Sequence, residues 1–397
     1  MAFKIIDKTS IYTIIKLDEN RLKNNNYTKV YYNQLHIGYK QKINDIIIYY
    51  DIHRHKLKLI GRLANMISIS DLTTNFDELW RGDVQTQQDI DTMIDNTNRL
   101  LYQLFDQKLN ILDFKVSRIE LCCNVPCASQ LDVSRYIFLF NKTFDMFHGQ
   151  ADRFINHALN KRLRYHTSYY IKTKKTYQNQ DNNYYAINFY NKYEQLRYLN
   201  RRYKSKSNVK DSDIRASLNI LRLEIKLHSR KLPQILKQYK INNLLRDFNF
   251  FVCRNILIDF YTKFICTGLN PYVKFVSYET AKKIIEVNCP DPKLMEYIKY
   301  ISQTNKITNN KYSQATNRKY IKQLFAIGIH FCFVPKSWNI DILTSPITLL
   351  DEKIKENQKQ RYTYQNQIID TDNKLQYINF GIGKNNDISK LFNSNKK

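Results

Sequence analysis

The chain has 397 residues, enough to bury a sizeable core and to hold two or three domains. Its 63 Lys and Arg stand against 36 Asp and Glu, a net charge of +27 that points to an anionic polymer and away from basic partners. No run approaches the roughly twenty apolar residues a membrane span needs, and seven Cys without paired spacing argue against a disulfide framework. Among the cysteines, Cys122, Cys123 and Cys127 lack a second Cys/His pair at zinc-ligand spacing, so packing is their expected role.

In chain order, the N-terminal MAFKIIDKTSIYTIIKLDEN lacks the basic, apolar and small-residue regions of a secretory signal, so a soluble, intracellular protein without a membrane partner is expected. Alternating runs then predict strands at 10–17, 29–40, 45–52, 56–61, 116–125, 184–190 and 219–227. Residues 88–108 place Ile90, Met93, Ile94, Leu100, Leu101, Leu104 and Phe105 at helical spacing, and 132–142 read as a shorter helix. From about 231 the pattern turns helical, and after 346 it becomes polar and rich in Asn, Lys and Gln. The expected fold is α+β. A mainly antiparallel sheet flanked by helices occupies 1–230, a helical region with a candidate helix-turn-helix follows over 231–346, and 347–397 form a partly ordered polar tail.

The strands repay reading face by face, because successive side chains point to opposite sides. SRIELCCN puts Ile119, Leu121 and Cys123 on an apolar face and Arg118, Glu120, Cys122 and Asn124 on the other. LRLEIKLH does the same with Leu221, Leu223, Ile225 and Leu227 against Arg222, Glu224, Lys226 and His228. In YYAINFYNKYE, Tyr184, Ala186, Asn188 and Tyr190 share the polar side, followed by Lys192 and Glu194. If these strands are neighbours, Glu120, Glu224 and Tyr190 converge, and neither carboxylate needs to be buried. Two carboxylates with an Asn such as Asn124, or a His, suit Mg²⁺ or Mn²⁺. A nearby tyrosine can attack phosphorus, while Lys192 and Arg118 or Arg222 steady the phosphate. The same pattern also suits ordinary cross-strand ion pairs, or a basic sheet that binds nucleic acid without chemistry.

Two further stretches carry candidate sites. DIHRHKL places His53 and His55 on one face of a strand as potential metal ligands, although Arg54 stands where an apolar residue is expected. In KYSQATNRKYIKQLFAIG, Ser313 or Thr316 caps a helix that Gly328 stops. Arg318, Lys319 and Lys322 project from its outer face, as in a recognition helix reading duplex DNA.

The order of several segments resembles the replication initiators of the filamentous-phage gene II/X type and the trans-acting Rep proteins of small rolling-circle plasmids. IIDKTSIYTII, HKLKLIGRLANMIS, FKVSRIELCCNVPC, the stretch from YYIKTKK to NFYNKYEQL, NILRLEIKL and KYSQATNRKYIKQLFAIGIHF carry the likeness over roughly residues 4–335. The resemblance implies metal binding by Glu120 and Glu224 and nicking by Tyr190, with Lys192 and Glu194 completing its motif. Tyr184, Tyr185 and Tyr193 are rival nucleophiles, and Tyr185 falls on the apolar face. The sequence departs from the family at Glu120, where Asp is usual, at KTKKTYQ in place of a Gly-Ser turn, and at Ala64-Asn65. The implied protein nicks and rejoins origin DNA through a phosphotyrosine. Its partners would be duplex and single-stranded DNA with host helicase and polymerase, as a homodimer, in the cytoplasm of a bacterial or phage-infected cell or with an organelle plasmid. A DNA-binding regulator that lacks the chemistry is the alternative.

Overall fold

The computed structural model describes residues 6–63 apart from 25–26, 33 and 44–45. It then describes 87–147, 168–172, 185–203, 209, 211–304, 307, 311–353 and 355. Ala64-Asn65, residues 173–178 of KTKKTYQ, Tyr184 and most of the polar tail lie outside the described residues. Met1–Leu350 form one compact unit and Asp351–Lys397 a second.

Among the described residues, nine strands form one antiparallel sheet. They are β1 (Ile6–Ile14), β2 (Thr28–Tyr32), β3 (Leu35–Ile43), β4 (Ile46–Asp51), β5 (Lys56–Gly61), β6 (Lys115–Pro126), β7 (Ser168–Lys172), β8 (Tyr185–Asn191) and β9 (Ile220–His228). Their spatial order is β2-β3-β4-β5-β1-β6-β9-β8-β7. β2 to β5 form a meander whose last strand pairs with β1, and β1 pairs on its other side with β6. The run 29–40 is thus a hairpin, turning between Tyr32 and Leu35 with Gln34 at φ +65°. Gly38 is required where β3 meets β4, since a Cβ there would lie 2.1 Å from the Tyr50 carbonyl oxygen.

The alternation seen in the sequence sets the core. Ile48, Leu57, Leu59, Ile11, Ile119, Leu121, Ile187, Phe189 and the four apolar residues of β9 are buried on one side of the sheet. Each buried Leu or Ile contributes about 1.5–3 kcal/mol, an upper range because the unfolded chain is itself partly collapsed. Helices cover this side. α1 (Glu19–Asn24) and α2 (Gln87–Phe105) come from the first part of the chain, as does α3 (Gln130–Phe147). α3 starts before the expected 132, because Ser129 Oγ accepts the Asp132 amide hydrogen at 3.1 Å and caps the turn. Its Phe140 ring meets Phe189 of β8 at 5.6 Å.

Beyond β8 come α4 (Lys192–Tyr203), α5 (Asp211–Ala216), α6 (Leu232–Tyr239), α7 (Phe250–Phe264), α8 (Tyr278–Asn288), α9 (Pro292–Thr304) and α10 (Gln314–Ala326). A short ribbon pairs β10 (Phe275–Val276) with β11 (Ile342–Leu343). The helical region packs on the sheet within the same unit: Tyr261 of α7 meets Phe140 at 5.8 Å, and Tyr136 donates to the Thr344 carbonyl at 2.6 Å. Ser313 caps α10 and Gly328, at φ +80°, follows its end as expected. Between α9 and α10, residues 305–306 and 308–310 lie outside the described residues, and the helix-turn-helix expected over 231–346 is not established.

Candidate active site

β9 lies between β6 and β8, so the three strands with ionisable faces are neighbours. Register fixes the rungs: Arg118 opposite His228, Glu120 opposite Lys226, Cys122 opposite Glu224, Asn124 opposite Arg222. On the other edge of β9, Asn188 is opposite Glu224 and Tyr190 opposite Arg222. Paired residues share a face and every second residue returns to it. One side of the sheet therefore collects Arg118, Glu120, Asn124, Tyr190, Arg222, Glu224 and Lys226.

The contacts within this group are direct. The Tyr190 hydroxyl donates to Glu224 Oε2 at 3.0 Å. Lys226 Nζ lies 3.2 Å from Glu120 Oε2 and 3.2 Å from Glu224 Oε1, bridging the carboxylates. Arg222 Nε stands 3.6 Å from Glu224 Oε2, and its Nη1 donates to Asn124 Oδ1 at 3.3 Å. Arg118 pairs with Glu120 Oε1. Burial lowers the Lys226 pKa, but the charges of Glu224 and Glu120 outweigh it and hold the ammonium above its ordinary value.

Alternation does not require these carboxylates to be buried, yet the fold buries them. Glu120 is 2% exposed, Glu224 5% and Tyr190 4%. Alternation assigns a side chain to a face but does not say whether that face is covered. Burial is tolerated because three cations surround two carboxylates and satisfy their oxygens.

That same pairing bears on the expected divalent ion. Each of the four carboxylate oxygens faces a protein donor, the Asn124 oxygen accepts from Arg222, and Lys226 holds the place between the glutamates. The side chains as they stand do not fit Mg²⁺ or Mn²⁺. Among the described residues, no three His, Cys, Asp or Glu side chains gather as a ligand set.

The other expected residues fall as follows. β8 ends at Asn191, whose Oδ1 accepts the Glu194 amide hydrogen at 3.2 Å and opens α4. Lys192 and Glu194 are therefore helical rather than on the strand. Lys192 is buried, with Nζ 5.7 Å from the Tyr190 ring centroid and 2.7 Å from Gln195 Oε1, a partner the sequence reading missed. Glu194 pairs with Arg197 at 3.2 Å, and Arg197 lies over the Tyr193 ring at 5.1 Å, so Tyr193 is on the helix and not in the rung of Tyr190. Tyr185 packs into the core, 5.2 Å from Phe260. His53 and His55 do not share a strand. Residues 52–55 form a turn in which Asp51 Oδ1 accepts the His53 and Arg54 amide hydrogens at 3.1 and 3.0 Å. His55 contacts Tyr50 Oη at 3.2 Å, and His53 contacts the His36 carbonyl at 3.2 Å. On α10, Arg318, Lys319 and Lys322 are exposed while Asn317, Tyr320, Ile321, Leu324 and Phe325 are buried.

Comparison of the chain with protein-family models, with curated proteins and with solved structures returned no match.

Proposed function

We propose that this chain nicks and rejoins one strand of origin DNA, initiating rolling-circle replication of a plasmid or phage, with Tyr190 as the nucleophile. The observation that carries the reading is the Tyr190 hydroxyl donating to Glu224 Oε2 at 3.0 Å beside Arg222 and Lys226. In the proposed step Glu224 takes the phenolic proton as Tyr190 Oη attacks phosphorus. The Tyr–phosphate bond forms, the bond to the 3′ oxygen breaks, and that oxygen takes a proton from water. Lys226 and Arg222 stabilise charge on the phosphoryl oxygens, so no step is routed through a metal ion. Rejoining is the reverse transesterification and consumes no nucleotide. Tyr190 is 4% exposed, so a phosphodiester reaches Oη only once this face opens. Arg318, Lys319 and Lys322 on α10 serve as phosphate contacts to the duplex, and host helicase and polymerase act on the freed 3′ end.

The test is a denaturant-resistant protein–oligonucleotide adduct with single-stranded candidate-origin DNA. The wild type is expected to form it and Tyr190→Phe to abolish it. Persistence in the variant removes Tyr190 as nucleophile, and absence from the wild type across candidate origins removes the enzyme. The second reading, a DNA-binding regulator of plasmid or phage origin, is favoured by the burial of Glu120, Glu224 and Tyr190 with their polar atoms satisfied. It predicts salt-dependent binding without an adduct.

A further inference from the structure

The face that carries the Tyr190 group continues across the sheet as a second feature. Lys40 of β3 is directly opposite Tyr49 of β4, and Tyr49 is opposite Lys58 of β5. Lys58 is opposite Tyr12 of β1, and Tyr12 opposite Lys115 of β6. Five successive strands thus present Lys, Tyr, Lys, Tyr, Lys in one rung-by-rung line. At the usual strand spacing of about 4.8 Å the line is about 19 Å long. It ends on β6, where a bulge opposite Ser10 and Ile11 brings Lys115 onto the face of Arg118 and Glu120 of the candidate site.

The line lies on the polar side, not in the core. Its strand neighbours Ile11, Ile48, Leu57 and Leu59 are buried on the other face, while Lys40 and Lys115 are exposed and Tyr12, Tyr49 and Lys58 half-buried. The positive charge is poorly compensated. Burial and the charges of Lys56 and Arg118 push Lys58 below its ordinary pKa. Burial and Arg54 push Lys56 down, although Asp51 opposes this. Asp51 is the acid across from Lys56, and two backbone amides already occupy its Oδ1. Lys56 Nζ also lies 3.7 Å from the Tyr12 ring centroid. Like charges held together cost stability in the free protein, and a polyanion removes that cost.

We propose that this ladder seats an unpaired DNA strand running across β3, β4, β5, β1 and β6, with Lys40, Lys58 and Lys115 on phosphates and Tyr49 and Tyr12 against bases. Alternating cations and rings suit a single strand, whose bases are free to stack while its backbone is held electrostatically. A duplex offers only its phosphates to a flat face. The proposal deepens the nicking reading by naming where the strand lies, yet binding here needs no nicking.

The experiment titrates the full-length protein with fluorescent oligodeoxythymidylate by anisotropy over a range of salt. Lys40→Gln and Lys58→Gln are each expected to lower the slope of log affinity against log salt by about 0.7. Lys58→Arg keeps the wild-type slope. Tyr49→Leu weakens binding roughly five- to hundredfold at fixed salt without changing the slope, and Tyr49→Phe binds like wild type. Misfolding is separated by thermal unfolding: Lys58→Gln relieves repulsion, so its melting temperature rises while affinity falls. Unchanged affinity and slope in both lysine variants overturn the ladder. Equal losses with duplex DNA overturn the unpaired strand, and tighter binding of oligouridylate overturns the choice of DNA. Ladder-dependent binding by a wild type that forms no adduct supports the ladder and removes the nicking reading instead.

Discussion

Replacing Lys226 by Met tests the charge balance on which the candidate site rests. In the wild type the ammonium bridges Glu120 and Glu224 at 3.2 Å each, and both glutamates are almost fully buried. Removing one partner from a buried ion pair costs about 3–5 kcal/mol, because an uncompensated charge is left behind. The Lys226 side chain is 28% exposed, so water screens part of the loss and about 2–3 kcal/mol is expected at pH 7. The sign with pH follows from linkage. The Lys226 pKa is raised in the fold, so its stabilisation is fully present below its ordinary value of about 10.5 and is lost as pH rises through the raised one. In Lys226→Met that contribution is absent at every pH, so the deficit against wild type shrinks as pH rises through the raised Lys226 pKa. Urea denaturation of wild type and variant at pH 7 and at alkaline pH above about 10.5 gives both numbers. A second readout uses Lys226→Ala, which opens the place between the carboxylates to a divalent ion. Mn²⁺ at a hundred times its dissociation constant should stabilise that variant by about 2.7 kcal/mol and leave the wild type unaffected. A deficit under about 0.5 kcal/mol at pH 7, or one that does not shrink at alkaline pH, refutes the bridging role.

Three further outcomes are expected. Tyr190→Phe removes a hydrogen bond to a carboxylate and should cost about 1.5–3 kcal/mol in urea denaturation, alongside the lost adduct; an unchanged midpoint would mean that the hydroxyl is not held by Glu224. His330 is fully buried, with Nε2 2.9 Å from the Ile265 carbonyl and Nδ1 accepting the Cys332 amide hydrogen at 3.0 Å. Burial lowers its pKa to about 3, so its contribution is intact above about pH 6.5 and lost as pH falls. Between pH 6.5 and 4.5 the wild type should lose about 2–3 kcal/mol that His330→Asn does not, and parallel pH profiles would contradict this. Ser313→Ala removes the cap of α10 and should cost about 1 kcal/mol, with faster amide exchange in its first turn and no change in β9.

The parts of the fold set by strict alternation were legible in the sequence. β5, β6, β8 and β9 fall within a residue or so of the predicted runs, and the apolar sides of β6, β8 and β9 are the sides that pack on helices. Local side-chain capping was the signal overlooked. Asn191 three residues before Glu194 marks a helix start, and Asp51 before His53 and Arg54 marks a turn. Reading both stretches as continuing strands put Lys192 on the sheet and His53 beside His55. The short β7, Ser168–Lys172, sits next to segments without clear periodicity and was not singled out. For the site, alternation told which residues share a face on each strand. Which strands are neighbours is a long-range pairing that no local pattern encodes, and the Lys40–Tyr49–Lys58–Tyr12–Lys115 line is visible only through register. Nor does alternation report the cover over Glu120 and Glu224 that turns a surface salt bridge into a buried one.

That cover carries an energetic argument about the polar face. Withdrawing Glu120, Glu224, Arg222 and Lys226 from water costs several kcal/mol per ion, and their attraction does little more than offset it. Apolar side chains of similar volume would join β6, β9 and β8 at least as firmly. The other face of β9 does so with Leu221, Leu223, Ile225 and Leu227, all of them buried. Stability alone therefore supplies no reason for two carboxylates in the middle of these strands. In the nicking reading a phenol held on a carboxylate between two cations has a chemical use, since Glu224 would be in place as proton acceptor and Arg222 and Lys226 as charge stabilisers before substrate arrives. The half-exposed ladder and the buried cluster share one face, so in the nicking reading a strand lying over β3 to β6 runs toward Glu120 and Tyr190.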